Sequence, residues 1–200
     1  MISLIVLAAG LSTRFGRNKL LERIGNYTII ERVVKSATSS NCDEVVVVLG
    51  HEAQRIKEVL KGFSCKFVFN EEYRKGQSFS VRAGVSAVMD YAEAVMVLPG
   101  DIALITPEPI NMVIEEYKKF RSPIVVASYK GRSGHPILFD KSLFREIMEI
   151  SEETMGLKSV VNRHRQLVRK VEVGSDEVLI DIDSEEDFRK IADKFAGEKA

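Results

Sequence analysis

Three short aliphatic runs constrain this chain more than any other feature. Leu4–Leu7, Glu44–Leu49 and Ala94–Leu98 are apolar and rich in β-branched residues. Runs of that length, closed by turn residues, read as strands buried on both faces. The segments between them change period. Residues 28–40 place Ile29, Ile30, Val33, Val34 and Ala37 at helical spacing, and helices are predicted near 51–61, 78–90 and 107–120, the last with Pro107 in its first turn. Residues 66–70 add a short strand. Such alternation predicts an α/β fold of three Rossmann-like layers: a mostly parallel sheet with helices on both faces. Beyond residue 122 the pattern shifts. Strands at 123–129 and 136–139 around a polar turn predict a small antiparallel ribbon attached to the sheet. Helices near 141–149 and 156–163, strands near 167–173 and 178–182, and a helix over 184–195 complete the expectation. The predicted organisation is one domain over residues 1–196 with a frayed tail at 197–200.

Two hundred residues are ample for a full core. Equal numbers of basic and acidic residues, 29 of each, argue against a nucleic-acid partner. No apolar run approaches the ~18 residues that cross a membrane. The start, Met-Ile-Ser-Leu-Ile, lacks the basic segment of a signal peptide, so a cytoplasmic protein is expected. Cys42 and Cys65 stand alone and fit small buried thiols in a reducing compartment.

The first strand breaks at Ala8-Ala9-Gly10, where small side chains allow a ligand close to the backbone. Ser12, Arg14 and Lys19 follow, a hydroxyl and two cations suited to a polyphosphate. A solvated surface loop would account for the same residues. The stretch is neither a P-loop, which needs Gly-Lys-Ser/Thr, nor a dinucleotide fingerprint. Ligands of open α/β sheets bind beyond the carboxyl ends of strands. Asp101 follows such a strand on a Pro-Gly turn and could supply a hard oxygen to Mg²⁺, or serve as a turn carboxylate. Asp181 and Asp183 precede the last helix, where Asp183 or Ser184 would also make a sound N-cap.

Residues 7–19, Leu-Ala-Ala-Gly-Leu-Ser-Thr-Arg-Phe-Gly-Arg-Asn-Lys, resemble the signature of the nucleotidyltransferase (MobA-like) superfamily, L-A-A/G-G-x-S-x-R-x-G-x-x-K, at every fixed position. The resemblance implies a loop of Leu7, Ala8, Ala9, Gly10 and Ser12 wrapped around a nucleoside triphosphate, with Arg14 and Lys19 on its phosphates. It implies Asp101 as a metal-binding and catalytic carboxylate. Residues 181–187 are similar to the family's D-x-D-T-P-E-D segment, which makes Asp183 a second metal ligand. Residues 70–84 resemble an element of one branch, molybdenum cofactor cytidylyltransferase, and would set Asn70, Gly76 and Ser80 around base and ribose. Residues 131–139 resemble that branch's G-x-R-G-H-P turn, in which His135 would help hold the acceptor or be a plain hairpin histidine. Together the motifs extend over residues 4–187.

What the resemblance implies is an Mg²⁺-dependent enzyme that moves CMP from CTP onto a phosphorylated small molecule such as molybdopterin and releases pyrophosphate. An acceptor enzyme or a second copy of the chain would be its macromolecular partner, with no nucleic acid or membrane. The rivals are a guanylyltransferase or sugar-phosphate nucleotidyltransferase of the same fold, and a carrier that binds nucleotide without turnover. Two departures bear on the acceptor: Asp101-Ile102-Ala103 replaces the branch's Asp-Gln-Pro, and Glu153-Thr154-Met155-Gly156 replaces its Gly-Asp-x-Gly.

Overall fold

A computed structural model describes residues 1–195; the tail expected at 197–200 lies outside them. The strands are β1 (Ile2–Ala8), β2 (Arg23–Ile24), β3 (Tyr27–Thr28), β4 (Glu44–Leu49), β5 (Lys66–Phe69), β6 (Ala94–Pro99), β7 (Ile124–Tyr129), β8 (Arg132–Asp140) and β9 (Val168–Glu172). The α-helices are α1 (Ile29–Thr38), α2 (Ala53–Val59), α3 (Gln77–Val88), α4 (Pro107–Phe120), α5 (Phe144–Ile147), α6 (Leu157–Arg163) and α7 (Glu185–Lys194).

Seven strands form one sheet in the order β5-β4-β1-β6-β8-β7-β9. β1 pairs in parallel with β4 and β6, Ile5 standing opposite Val46 on one side and Val97 on the other. Every residue of β1 is buried, because helices cover both faces and a polar side chain would have to leave water on either. Ser3, the one polar residue of the strand, gives its hydroxyl to the Glu44 carboxylate. Leu4 and Val6 face a layer that includes Ile30 and Val33 of α1 and Ile110 of α4. Ile5 and Leu7 face Val81 and Val85 of α3. A Cβ on Gly84 would fall 2.6 Å from Ile5 Cγ2, so α3 rests closer on β1 than a helix carrying a side chain there could. Helix α1 opens on a capping box, Thr28 Oγ1 accepting from the Glu31 N–H while the Glu31 carboxylate accepts from Thr28 N–H; Thr-x-x-Glu is its sequence form.

The antiparallel expectation holds with a change of place. β7 and β8 join through Lys130-Gly131, both at positive φ (49° and 76°), which reverses the chain tightly. β8 then inserts between β6 and β7, antiparallel to both, so it is part of the sheet body. The small separate ribbon is β2–β3, two residues a side around Gly25-Asn26, too short to leave a periodic trace. The strand expected at 178–182 is absent: Asp176–Leu179 form a 3-10 turn and the chain runs on unpaired in the sheet. Val178 and Ile182 are fully buried, so the apolar spacing there reports packing on the core without a strand ladder. Helix α2 begins at Ala53, two residues after the expected His51, because Glu52 adopts a left-handed conformation. Cys42 and Cys65 are free, and burial raises both thiols above their ordinary range. Among the described residues no helix is long and apolar enough to cross a membrane.

Candidate active site

At the carboxyl ends of β1 and β6 lies a cavity of about 360 Å³. Its floor is the loop after β1. Phe15 buries its ring (3% exposed) and anchors the loop, while Ser12 and Gly16 turn the backbone through positive φ on either side of it. Ser12 Oγ accepts the Lys19 N–H at 3.2 Å, and Asn18 Oδ1 accepts the Leu20 N–H at 3.2 Å. Just before the stretch held this way, Gly10 and Leu11 stand exposed on the cavity. Leu7, Ala9, Gly10, Ser12, Arg14 and Lys19 line the cavity. Ala8 turns its methyl into the core, leaving only its backbone for a ligand.

Lys19 is the centre of the charge arrangement. Its Nζ donates to Asp101 Oδ2 at 2.7 Å, to the Ile182 carbonyl at 2.6 Å and to Asp183 Oδ1 at 3.4 Å. The second Asp183 oxygen accepts from Arg14 Nη1 at 3.0 Å. Asp101 Oδ1 is buried and has no hydrogen-bond partner, an uncommon and costly state for a carboxylate oxygen. Two carboxylates and a carbonyl therefore converge on one cation, with one hard oxygen still unsatisfied. That donor set suits Mg²⁺, which takes one or two protein carboxylates and completes its shell with phosphate and water. Among the described residues no cluster of three or more His, Cys, Asp or Glu could hold a metal without such help.

The Asp183 segment arrives differently from the sequence expectation. Asp101 follows β6, but Asp183 follows the 3-10 turn and reaches the site because Ile182 N–H donates to the Asp101 carbonyl at 3.3 Å. Neither Asp181 nor Asp183 caps α7. Ser184 does, accepting the Asp187 N–H while the Asp187 carboxylate accepts in return from Ser184. Asp181 lines the neighbouring cavity, and burial, then repulsion from Asp183 and Asp101, raises its carboxyl above the usual range.

That second cavity, about 700 Å³, shares Leu7, Gln77 and Pro99 with the first. His135 and Ile102 line it together with Met155 and Gly156, so both departures from the cytidylyltransferase pattern contribute residues to the same cavity. Desolvation holds the His135 imidazole down at about 4 against the pull of Asp101, and its buried Nδ1 has no partner. Between the cavities stands the start of α3. Gly76, at φ 124°, is its N-cap, and a Cβ there would strike the Glu152 carboxyl group. Ser78 is buried within the first turn of the helix, and its N–H donates to Glu152 Oε1 at 2.6 Å. Ser80 lines the first cavity. Asn70 stands behind it, its amide donating to Ser80 Oγ at 3.0 Å.

Residues 4–168 match the model of the MobA-like NTP transferase domain, over the same loop, sheet and hairpin that build these cavities. The chain belongs to the MobA-like NTP transferase family. Among curated proteins it resembles the bifunctional protein GlmU of Staphylococcus carnosus, 32% identical over 126 residues, which are 62% of this chain and 27% of that protein; it thus spans about a quarter of that relative. Among solved structures it resembles Rv0371c from Mycobacterium tuberculosis, 25% identical with a TM-score of 0.84 over 96% of this chain and 97% of that one. A manganese complex of Rv0371c matches at 24% identity and TM-score 0.80, covering 96% and 98%. A CMP:2-keto-3-deoxy-manno-octonic acid synthetase complexed with CTP shares the fold at 14% identity and TM-score 0.79, over 99% of each chain.

Sequence reasoning about this MobA-like transferase missed four residues. Arg17 was lost among the loop cations. It is committed to Glu22 and Glu185, each at 2.6 Å, and these partners raise its guanidinium further above its ordinary range. It ties the loop to α7 as Phe15 does by meeting Phe188 edge-on at 5.9 Å. Arg74 and Gln77 line the first cavity from the far side; their place beside the Gly76 motif was the only available signal. Glu152 carries no sequence signal, because what defines it is a helix start 74 positions away.

Proposed function

We propose that this MobA-like transferase moves CMP from CTP onto a phosphorylated small molecule, molybdopterin being the acceptor its motifs favour, and releases pyrophosphate. The reading is carried by Lys19 held between Asp101 and Asp183 on the floor of the cavity. Asp101 and Asp183 would hold Mg²⁺, and Lys19 then turns to the incoming triphosphate. When bound, Mg²⁺ would neutralise phosphate charge. Arg14, 78% exposed at its side chain, swings to the phosphates at little cost, and the N–H groups of the Gly10 segment complete the cradle. Ser80, braced by Asn70, faces the ribose or base. An oxygen of the acceptor phosphate then bonds to the α-phosphorus as the bond to the bridging α–β oxygen breaks, and that electron pair leaves with pyrophosphate beside Lys19 and Arg14. Positioning and charge neutralisation supply the catalysis.

The cytosine preference is supported by the resemblance of residues 70–84, Gly76 and Ser80 among them, to the cytidylyltransferase element, and by the fold's capacity to hold CTP in the octonic acid synthetase. The test is pyrophosphate release from each nucleoside triphosphate with Mg²⁺ and a panel of phosphorylated acceptors. Release with CTP well above GTP supports the reading, and equal or faster release with GTP refutes the base assignment. Tight CTP binding with no release for any acceptor would identify a carrier.

A further inference from the structure

Helix α3 starts where its own sequence cannot cap it. The N-cap residue is Gly76, which has no side chain to accept from the first N–H groups of the helix. Glu152 takes that role from 74 positions away, its Oε1 accepting the Ser78 N–H at 2.6 Å. A carboxylate suits the place, because the first turn of a helix carries partial positive charge. It is delivered by a turn that closes on itself. Ser151 N–H donates to Thr154 Oγ1 at 3.0 Å and Gly156 N–H to the Ser151 carbonyl at 2.9 Å. The turn rests on α3 at a second point, since a Cβ on Gly156 would fall 3.0 Å from Ser78 Oγ. Gly76 and Glu152 require each other. A Cβ at position 76 would lie 2.3 Å from Glu152 Cγ, and a φ of 124° disfavours any side chain there. A local side-chain cap is thus excluded, and the cap comes from across the fold.

What the cap holds is a wall of the first cavity. Gly76, Gln77 and Ser80 line that cavity, and Ser80 receives the Asn70 amide. The apolar side chains of α3 that pack on the core begin only at Val81. Residues 76–80 therefore depend on polar contacts for their place, and a helix start that loses its acceptor frays. We propose that Glu152 is a positioning residue for the nucleotide: capping α3 from outside, it fixes Gly76–Ser80 against base and ribose. The assignment rests on the nucleotidyl-transfer reading. Glu152 meets no phosphate in it and acts only through the backbone it holds.

Calorimetry with Mg²⁺ reads the effect without turnover. Glu152→Ala should weaken CTP roughly five- to tenfold, the size of a lost helix cap. Inorganic tripolyphosphate should stay within about twofold of wild type, because its cations Lys19 and Arg14 are untouched. Glu152→Gln keeps an oxygen for the Ser78 N–H and should return CTP to within about threefold of wild type. In turnover, Glu152→Ala should raise the KM for CTP and leave kcat and the acceptor KM little changed. Amide exchange in the nucleotide-free variant should quicken at residues 77–80 and not in β1. Equal losses of CTP and tripolyphosphate would be a general disturbance of the site and overturn the assignment. A raised acceptor KM with CTP unchanged would overturn it too, by making Glu152 an acceptor contact. If wild type and Glu152→Ala bind CTP equally, positioning falls and the transfer reading stands. If wild type binds no nucleoside triphosphate, the transfer reading falls and the nucleotide role with it, and exchange at 77–80 alone shows whether the cap exists.

Discussion

The two cavities share a wall and differ in almost everything else. The first is smaller, made by the loop after β1 and the start of α3, with carboxylates closing on it from β6 and the segment before α7. Its contacts are short and interlocked: Ser12 holds the Lys19 backbone, Lys19 holds Asp101, Ile182 and Asp183, and Arg14 holds Asp183. The second is larger, lined by aliphatic and polar side chains from several separate segments, and its wall cations Arg132 and Lys158 are unengaged among the described residues. A triphosphate presents the same charge pattern whatever base it carries, so a site that receives it can be preassembled from local backbone and a few ions. An acceptor is recognised by its shape, which side chains from distant segments must supply together.

Substitutions of the carboxylates around Lys19 should break the first cavity hardest. Asp101→Asn keeps shape but removes a carboxylate whose Oδ1 is already unsatisfied. Pyrophosphate release should fall on the order of 10³-fold with the melting temperature nearly unchanged. Asp183→Asn should cost less, about 10-fold, since its carboxylate is half exposed and solvent can replace part of its charge. Asp181→Asn should disturb only local structure. Metal binding to Asp181 with Asp183 left free would reverse that ranking.

Lys19→Met sharpens the comparison in two directions at once. Turnover with CTP should drop about 10²-fold through loss of a phosphate cation. The same change vacates the place between Asp101 and Asp183, so Mn²⁺ titrated without nucleotide should bind more tightly to the variant than to wild type. If metal affinity is unchanged, the ammonium and the ion do not compete for the two carboxylates.

In the second cavity, Met155→Ser should raise the acceptor KM severalfold by thinning the wall, with the KM for CTP unchanged. A parallel rise in both constants would make the two cavities one site.

The smallest effect is a pH dependence. The His135 imidazole, held at about 4 by burial, binds fewer protons folded than unfolded between pH 4 and 6.5. Stability should therefore be full above about pH 6.5 and decline as pH falls toward 4. His135→Asn should flatten that decline by a few degrees in Tm. A variant with the wild-type slope would show that His135 is better solvated than its surroundings suggest.

The first cavity was largely legible in the residues themselves. A phosphate loop is a local object: Ala8-Ala9-Gly10, Ser12, Arg14 and Lys19 carry their chemistry within one turn of chain, and β1, β4 and β6 were readable because strands buried on both faces need unbroken aliphatic runs. Helix α1 announced itself through its cap and its stripe for the same reason. What only tertiary structure decided are relations between distant segments. Whether 178–182 made a strand depended on whether a neighbour's backbone lay free beside it, and apolar spacing is the same for a strand and for a coil packed on the core. That Lys19 spans Asp101 and Asp183, that Arg17 is tied to Glu185, that Glu152 holds the start of α3, and that side chains of several separate segments share one hollow are all facts of chain crossing. No residue type encodes them singly, because each is a distance between groups whose separation the fold alone sets.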